Sequence, residues 1–360
     1  LHKSSHSFPT RRSSDLDLKK RLSDIIIAEN NDGVPLRAGG LNASGALAIL
    51  LKDAIMPNLV QTLEGNPALI HTGPFANIAH GTNSVIATDI ARRYADMVVI
   101  EAGFGSDLGA EKFFNLVSRS EGMVPPDVVV IVATVRALKF HGGVKIKSLS
   151  EPDVTAVEKG FANLKKHIEN MRSFNRPVVV ALNRFGSDTT QEIEIIKDLV
   201  KEAGSQCFEA NVWAEGGKGG VELAKAVYEL SQQDHGEVNY TYSFKDEPVE
   251  KIRKIAKNIY GAKDIHVPRK VENKIEQRKK WGISEVPVCM AKTQYSFSDN
   301  PDLKGSPQNF ILEIADIKYA AGAGFMVVYT GEIMTMPGLP AKPAAALMDI
   351  DENGKITGLF

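Results

Sequence analysis

VVVALNRFGSD, residues 178–188, is an unbroken apolar run closed at once by Asn, Arg and Gly. A strand covered by helices on both faces has no solvent side with which to alternate, so its residues are apolar throughout. The same pattern recurs at 68–70, 97–100 and 128–132, each followed within three residues by Gly, Asn or Thr. Between the runs, helices are expected at 43–55, ending before Pro57, at 83–94, and at 157–171, where Phe161, Leu164 and Ile168 share a face. Strands alternating with helices in this way predict a doubly wound α/β core built on a mostly parallel sheet.

Beyond residue 231 the texture changes. Residues 249–281 are rich in Lys and Arg, with Ile252, Ile255 and Ile259 at helical spacing, and read as a solvated amphipathic helix pair. Segments 310–317 and 325–335 are β-rich with Gly and Pro punctuation, which predicts a small α+β unit closing the chain.

The 360 residues are 43% hydrophobic and 24% charged, an ordinary composition for two to three globular domains. With 43 basic against 44 acidic residues the net charge is -1, so no global field exists to hold nucleic acid or an anionic membrane, and neither is expected as a partner. Cys207 and Cys289 stand far apart and the eight histidines include no H-x-x-x-H, which argues against a disulfide framework or a structural zinc and gives no metal ligand set. The cysteine usage suits a reducing, cytoplasmic compartment. No apolar run approaches the roughly 18 residues that span a bilayer. Residues 1–16, LHKSSHSFPTRRSSDL, lack apolar periodicity and a signal-peptide core and are read as a non-native scar.

In an open parallel sheet, ligands sit beyond the carboxyl ends of the strands, so the loops there carry the functional reading. The first, 71–81, combines glycines with a following helix, a geometry suited to an anion. The second, 101–109, sets Phe104 between Gly103 and Gly105, where the ring either stacks on a planar ligand or tucks into the core. The third, 183–188, is similar to the N-K-x-D base-reading element of GTP-binding proteins but has Gly186 where that element has Asp, which argues against guanine specificity. The fourth, 213–220, places Trp213 before a run of glycines. Phe185 and Trp213 together make a candidate aromatic clamp. The sequence contains no G-x-x-x-x-G-K-[ST] and no G-x-S-x-G.

At these loops the chain closely resembles the formate-tetrahydrofolate ligase family, through GPFANIAHGTNS (73–84), EAGFGSDLGAEKF (101–113), IVATVRALKFHGGV (131–144), VCMAKTQYS (288–296) and GEIMTMPGLP (331–340). The resemblance implies ATP-dependent ligation of formate to N10 of tetrahydrofolate through formyl phosphate, giving 10-formyltetrahydrofolate, ADP and phosphate. It also implies Mg²⁺ with the ATP, a monovalent cation and a homo-oligomer.

By the same resemblance Ala76, Phe104, Gly105 and Asp107 belong to the nucleotide pocket, and Phe185 with Trp213 brackets the pterin. Gly186 stands where the family usually has proline, and the family's phosphate loop, with its lysine and an arginine for formyl phosphate, lies upstream of this sequence. The implied organisation is the carboxyl-side part of a P-loop NTPase-like nucleotide domain at 17–160, a folate-binding α/β domain at 161–257 and an α+β domain at 258–360. On its own, the chain is expected to lack ligase turnover. Two other readings remain: a non-catalytic folate- or nucleotide-binding subunit, and a nucleotide switch protein.

Overall fold

The computed structural model describes residues 15–73, 77, 78, 80–120 and 122–331, together with 333, 346, 348–350, 352, 354 and 356–358. Helix α1 (Asp15–Asp24) leads into a hairpin of β1 (Ile26–Glu29) and β2 (Pro35–Arg37). After α2 (Ser44–Leu51) a second hairpin pairs β3 (Asn58–Gln61) with β4 (Pro67–Ile70), and α3 (Val85–Tyr94) comes after it. A helix with stretches of π pitch then runs through Ser106–Ala110 and Phe113–Val117.

The α/β core comes next. Strands β5 (Val129–Ala133), β6 (Val178–Asn183) and β7 (Gln206–Ala210) form a parallel sheet in that order. Their connections are helical: α4 (Val135–His141) and α5 (Val154–Ser173) link β5 to β6, and α6 (Thr190–Glu202) links β6 to β7. Each helix has a sequence-encoded start, because Thr134, Asp153 and Thr189 accept a backbone N–H of the first turn and Thr189 completes a capping box with Glu192. After β7 come α7 (Val212–Glu215) and α8 (Val221–Ser231).

The remainder contains α9 (Pro248–Ile255), β8 (Asp264–His266), α10 (Arg269–Lys279), β9 (Val288–Ala291), β10 (Ile311–Glu313), β11 (Asp316–Ala320) and β12 (Phe325–Tyr329). Here β12 pairs antiparallel with β11 and parallel with β9, while β8 and β10 form a parallel pair. One hydrophobic core joins these parts: Ile168, Met171, Val180, Leu182 and Ile196 belong to the same buried cluster as Ile252, Ile255, Val288, Met290 and Met326. Helix α5 crosses residues 160 and 161 without a break.

Glycine sets the closest approach in the core. A Cβ on Gly160 would overlap the Leu138 carbonyl, and one on Gly142 the Ala156 carbonyl, so α4 and α5 touch backbone to backbone. Beside that crossing lies a fully buried ion pair, Lys139 Nζ to Glu192 Oε1 at 3.0 Å. Burial alone would raise the Glu192 carboxyl; N–H groups of Asp153 and Thr189, the Thr189 hydroxyl and Lys139 all donate to it and hold it well below the ordinary carboxylate value.

The parallel α/β core is thus present, with several small sheets around it. Two expected core strands differ. The run 97–100 forms no strand, since among the described residues no neighbouring strand satisfies its backbone, and Val99 is exposed. The run 68–70 is in β4 but bonds antiparallel to β3, because the intervening turn at 62–66 returns the chain directly alongside itself. The expected helix at 43–55 stops at Leu51, and the basic pair at 249–281 is divided by β8.

Candidate functional site

Two groups of loops carry the predicted residues. The first contains Phe104. Its backbone is left-handed at φ 63°, unusual for a bulky side chain, and the residue is 48% exposed. Two backbone bonds close the turn beneath it, Gly109 N–H to Gly103 O and Leu108 N–H to Gly105 O, both 3.1 Å. A Cβ on Gly109 would overlap the Gly103 carbonyl, and one on Gly81 the Gly109 carbonyl. Gly81 and the 101–109 loop therefore press together through bare backbone.

Asp107 lies three residues past Phe104 and is buried. Its carboxylate meets Lys292 Nζ at 2.6 Å, and Lys292 completes its donors on the carbonyls of Thr293 and Ser296. Burial by itself would raise the Asp107 carboxyl; the Lys292 ammonium outweighs it and holds the group ionised below its ordinary value. Ser106 and Gly105 lie against His167, which α5 supplies. A second buried lysine, Lys112, donates to the carbonyls of Asn77 (2.9 Å) and Met290 (3.2 Å), and Asn77 Nδ2 donates to Lys292 O (2.8 Å). The first loop is so bound to the end of β9. Lys112, Lys292 and His167 escaped the sequence reading. Their one signal is position: Lys292 directly follows the apolar VCMA run, just where a site residue is sought.

The second group contains Phe185 and Trp213. Strands β6 and β7 register Asn183 against Ala210, and Arg184 N–H donates to Ala210 O, so both aromatics leave the sheet just past one rung. Phe185 is 39% exposed, with the Arg136 guanidinium 5.8 Å from its ring centroid, and Trp213 is 94% exposed. Asp188 accepts the Phe185 N–H at 2.9 Å and fixes the turn. The glycines after Trp213 fold back tightly: Asn211 N–H donates to Gly219 O, and Gly217 N–H donates at 2.6 Å to Glu64 from the tip of the β3–β4 hairpin.

Of the predicted nucleotide residues, Phe104, Gly105 and Asp107 share one turn, although no strand leads into it, and Ala76 lies outside the described residues. No group of three His, Cys, Asp or Glu able to hold a metal occurs among the described residues, and Asp107 is committed to Lys292, so the implied Mg²⁺ finds no ligand set here. No helix among them is long and apolar enough to cross a membrane.

The family model described as "Formate--tetrahydrofolate ligase" matches residues 12–360. The chain belongs to the formate-tetrahydrofolate ligase family. It is 51% identical over 344 residues to the formate-tetrahydrofolate ligase of Bacillus licheniformis, covering 96% of this chain and 61% of that protein. It is likewise 51% identical over 345 residues to that of Methylobacterium radiotolerans and 52% identical over 346 residues to that of Bacillus pumilus, covering 62% and 61% of those proteins. The chain thus spans about three fifths of the length of these ligases.

Proposed function

We propose that this chain supplies the base-binding and pterin-binding parts of an ATP-dependent formate-tetrahydrofolate ligase. The observation that carries the reading is the placement at the end of the parallel sheet: two exposed aromatics just past one rung, Phe185 in a turn and Trp213 in the short helix α7 before a run of glycines, a costly arrangement for a surface with no flat ligand to cover. Phe185 and Trp213 then bracket the pterin, and Phe104, with Gly105 and Asp107 behind it, faces the adenine.

Chemically, a carboxylate is a poor electrophile. Formate therefore takes the γ-phosphoryl group of ATP first, and the formyl phosphate so formed loses phosphate as N10 of the folate attacks its carbonyl carbon. What these residues contribute is orientation: the pterin clamp sets the height and angle of N10, and the base platform sets the nucleotide at the other end of the reacting line.

Calorimetric titration tests the clamp. Trp213→Ala is expected to weaken tetrahydrofolate binding to the chain about tenfold, since stacking contributes on the order of 1 kcal/mol beyond buried area, and to leave ATP binding unmoved. Unchanged folate affinity overturns the clamp.

A further inference from the structure

A left-handed Phe is costly, and something must hold it. Phe104 has only glycine on either side, so its immediate neighbours impose no conformation through side chains of their own. The restraint comes from Ser106, two residues on, and from α5, across a gap of 61 residues.

Several hydrogen bonds converge on Ser106. Asn170 Nδ2 donates to Ser106 Oγ (3.0 Å) and to Ile259 O (3.0 Å). Ser106 N–H donates to His167 Nδ1 at 3.2 Å, so that nitrogen carries no proton and also accepts the Ser106 hydroxyl at 2.7 Å. Gly105 sits so close that a Cβ there would meet His167 Cε1 at 2.5 Å. The imidazole is itself held, its ring tilted against Phe297 with centroids 4.6 Å apart. Ser106 is thus gripped through backbone and side chain together, and the adjacent Asp107 is fixed by Lys292. Two successive anchors leave the peptide before them little freedom, and the Phe104 ring is turned outward.

We propose that His167 is a positioning residue of the nucleotide site, an acceptor that locks the 103–107 turn and so holds the Phe104 ring ready to stack on the base. This deepens the reading of Phe104 as the adenine platform and rests on it. The preorganisation is specific to the Nδ1 position: an amide oxygen placed there by Asn can accept the same two hydrogens, whereas Leu can accept neither.

A double-mutant cycle read by ATP titration of the chain separates the two claims. Phe104→Ala is expected to weaken ATP about tenfold, and His167→Leu by a similar factor. His167→Asn should stay within about twofold of the unaltered chain. The double variant Phe104→Ala, His167→Leu should bind no more weakly than Phe104→Ala alone, because the imidazole acts only through the ring. Tetrahydrofolate affinity should hold throughout, and amide exchange of 103–109 should accelerate in His167→Leu but not in His167→Asn. Ser106→Ala, which removes the hydroxyl bridge without adding bulk, carries the same test should His167→Leu not fold. Unchanged ATP affinity in Phe104→Ala overturns the adenine reading and this inference together. A loss there with none in His167→Leu, or two losses that multiply, overturns the inference alone.

Discussion

Glu111 and His80 are both fully buried, and their ionisations pull stability in opposite directions. Burial raises the Glu111 carboxyl from its ordinary 4.5 to about 7, with one oxygen lacking a hydrogen-bond partner among the described residues. The folded chain therefore holds a proton that the unfolded chain has released between these values, and stability falls as pH rises through that window. Burial, helped by Lys112, lowers His80 from 6.5 to about 3; the unfolded chain binds the extra proton between these values, and stability rises with pH across them. From about 4.5 to 6.5 the two slopes oppose, and His141, which burial lowers from 6.5 to about 4, and His167, also lowered by burial, act in the same direction as His80, so stability is expected to rise with pH across the interval. Glu111→Gln removes the opposing slope, so its urea midpoint should climb more steeply across that interval than that of the unaltered chain. A Glu111→Gln midpoint that climbs no more steeply would show that Glu111 does not hold the extra proton.

At the same scale, the part of the candidate site named from the sequence was its aromatics. Phe104, Phe185 and Trp213 announce themselves because a large ring beside glycines is poor core material. Lys292 and His167 do not, for their partners lie 185 and 61 residues away along the chain and only the folded backbone joins them.

Among the elements, α4 and α5 depend on Gly160 more than its place in a helix suggests. Alanine is a better helix former by about 1 kcal/mol, so propensity alone favours Gly160→Ala. The new Cβ would lie on the Leu138 carbonyl, where backbone must move, and overpacking of that kind costs roughly 1–3 kcal/mol or more. Net destabilisation is expected, read as a lower urea midpoint with an unchanged slope; a midpoint at or above that of the unaltered chain would show that the crossing has slack. Strand legibility obeyed the same logic of surroundings. Run 178–182 is apolar because neighbours cover it, whereas 128–132 leaves Val130 and Val132 exposed; both form parallel strands. QCFEA of β7 was missed because a partly exposed strand keeps Gln and Glu; VCMA of β9, an apolar run as long as 97–100, carried the same signal and was not read as a strand. The run 97–100 has the right composition but lacks a partner strand among the described residues.

Across the whole molecule, a large buried core and a smaller one around Phe113, Val117 and Phe325 coexist with an uncovered apolar surface. Val132 on β5 is 69% exposed, and Leu59, Ile70 and Val99 are exposed as well. Beyond β5 the sheet has no further strand among the described residues, and such an edge templates association. Val132→Lys is therefore expected to raise the concentration at which the chain stays dispersed in sedimentation, without altering its urea midpoint; an unchanged sedimentation profile would place the sticky surface elsewhere. Catalysis is a second property at this scale. The sequence holds no G-x-x-x-x-G-K-[ST] to cradle a triphosphate, so formate-dependent ADP release by this chain alone is expected to be undetectable. Measurable release would place phosphate handling within the loops at 71–81 and 101–109.

The π pitch of the helix through 106–117 has a consequence for insertions and deletions. A π turn contains one residue more than its bonding would need at α pitch. Removing one residue from Ser106–Ala110 would let the turn tighten to α pitch and absorb the loss, whereas adding one would find no slack and swivel the rest of the helix by about 100° against the Phe104 loop. Lys112 would leave the carbonyls of Asn77 and Met290, and an ammonium now satisfied in the interior would have to find water. In this segment the length of the chain is as constrained as the identity of its residues.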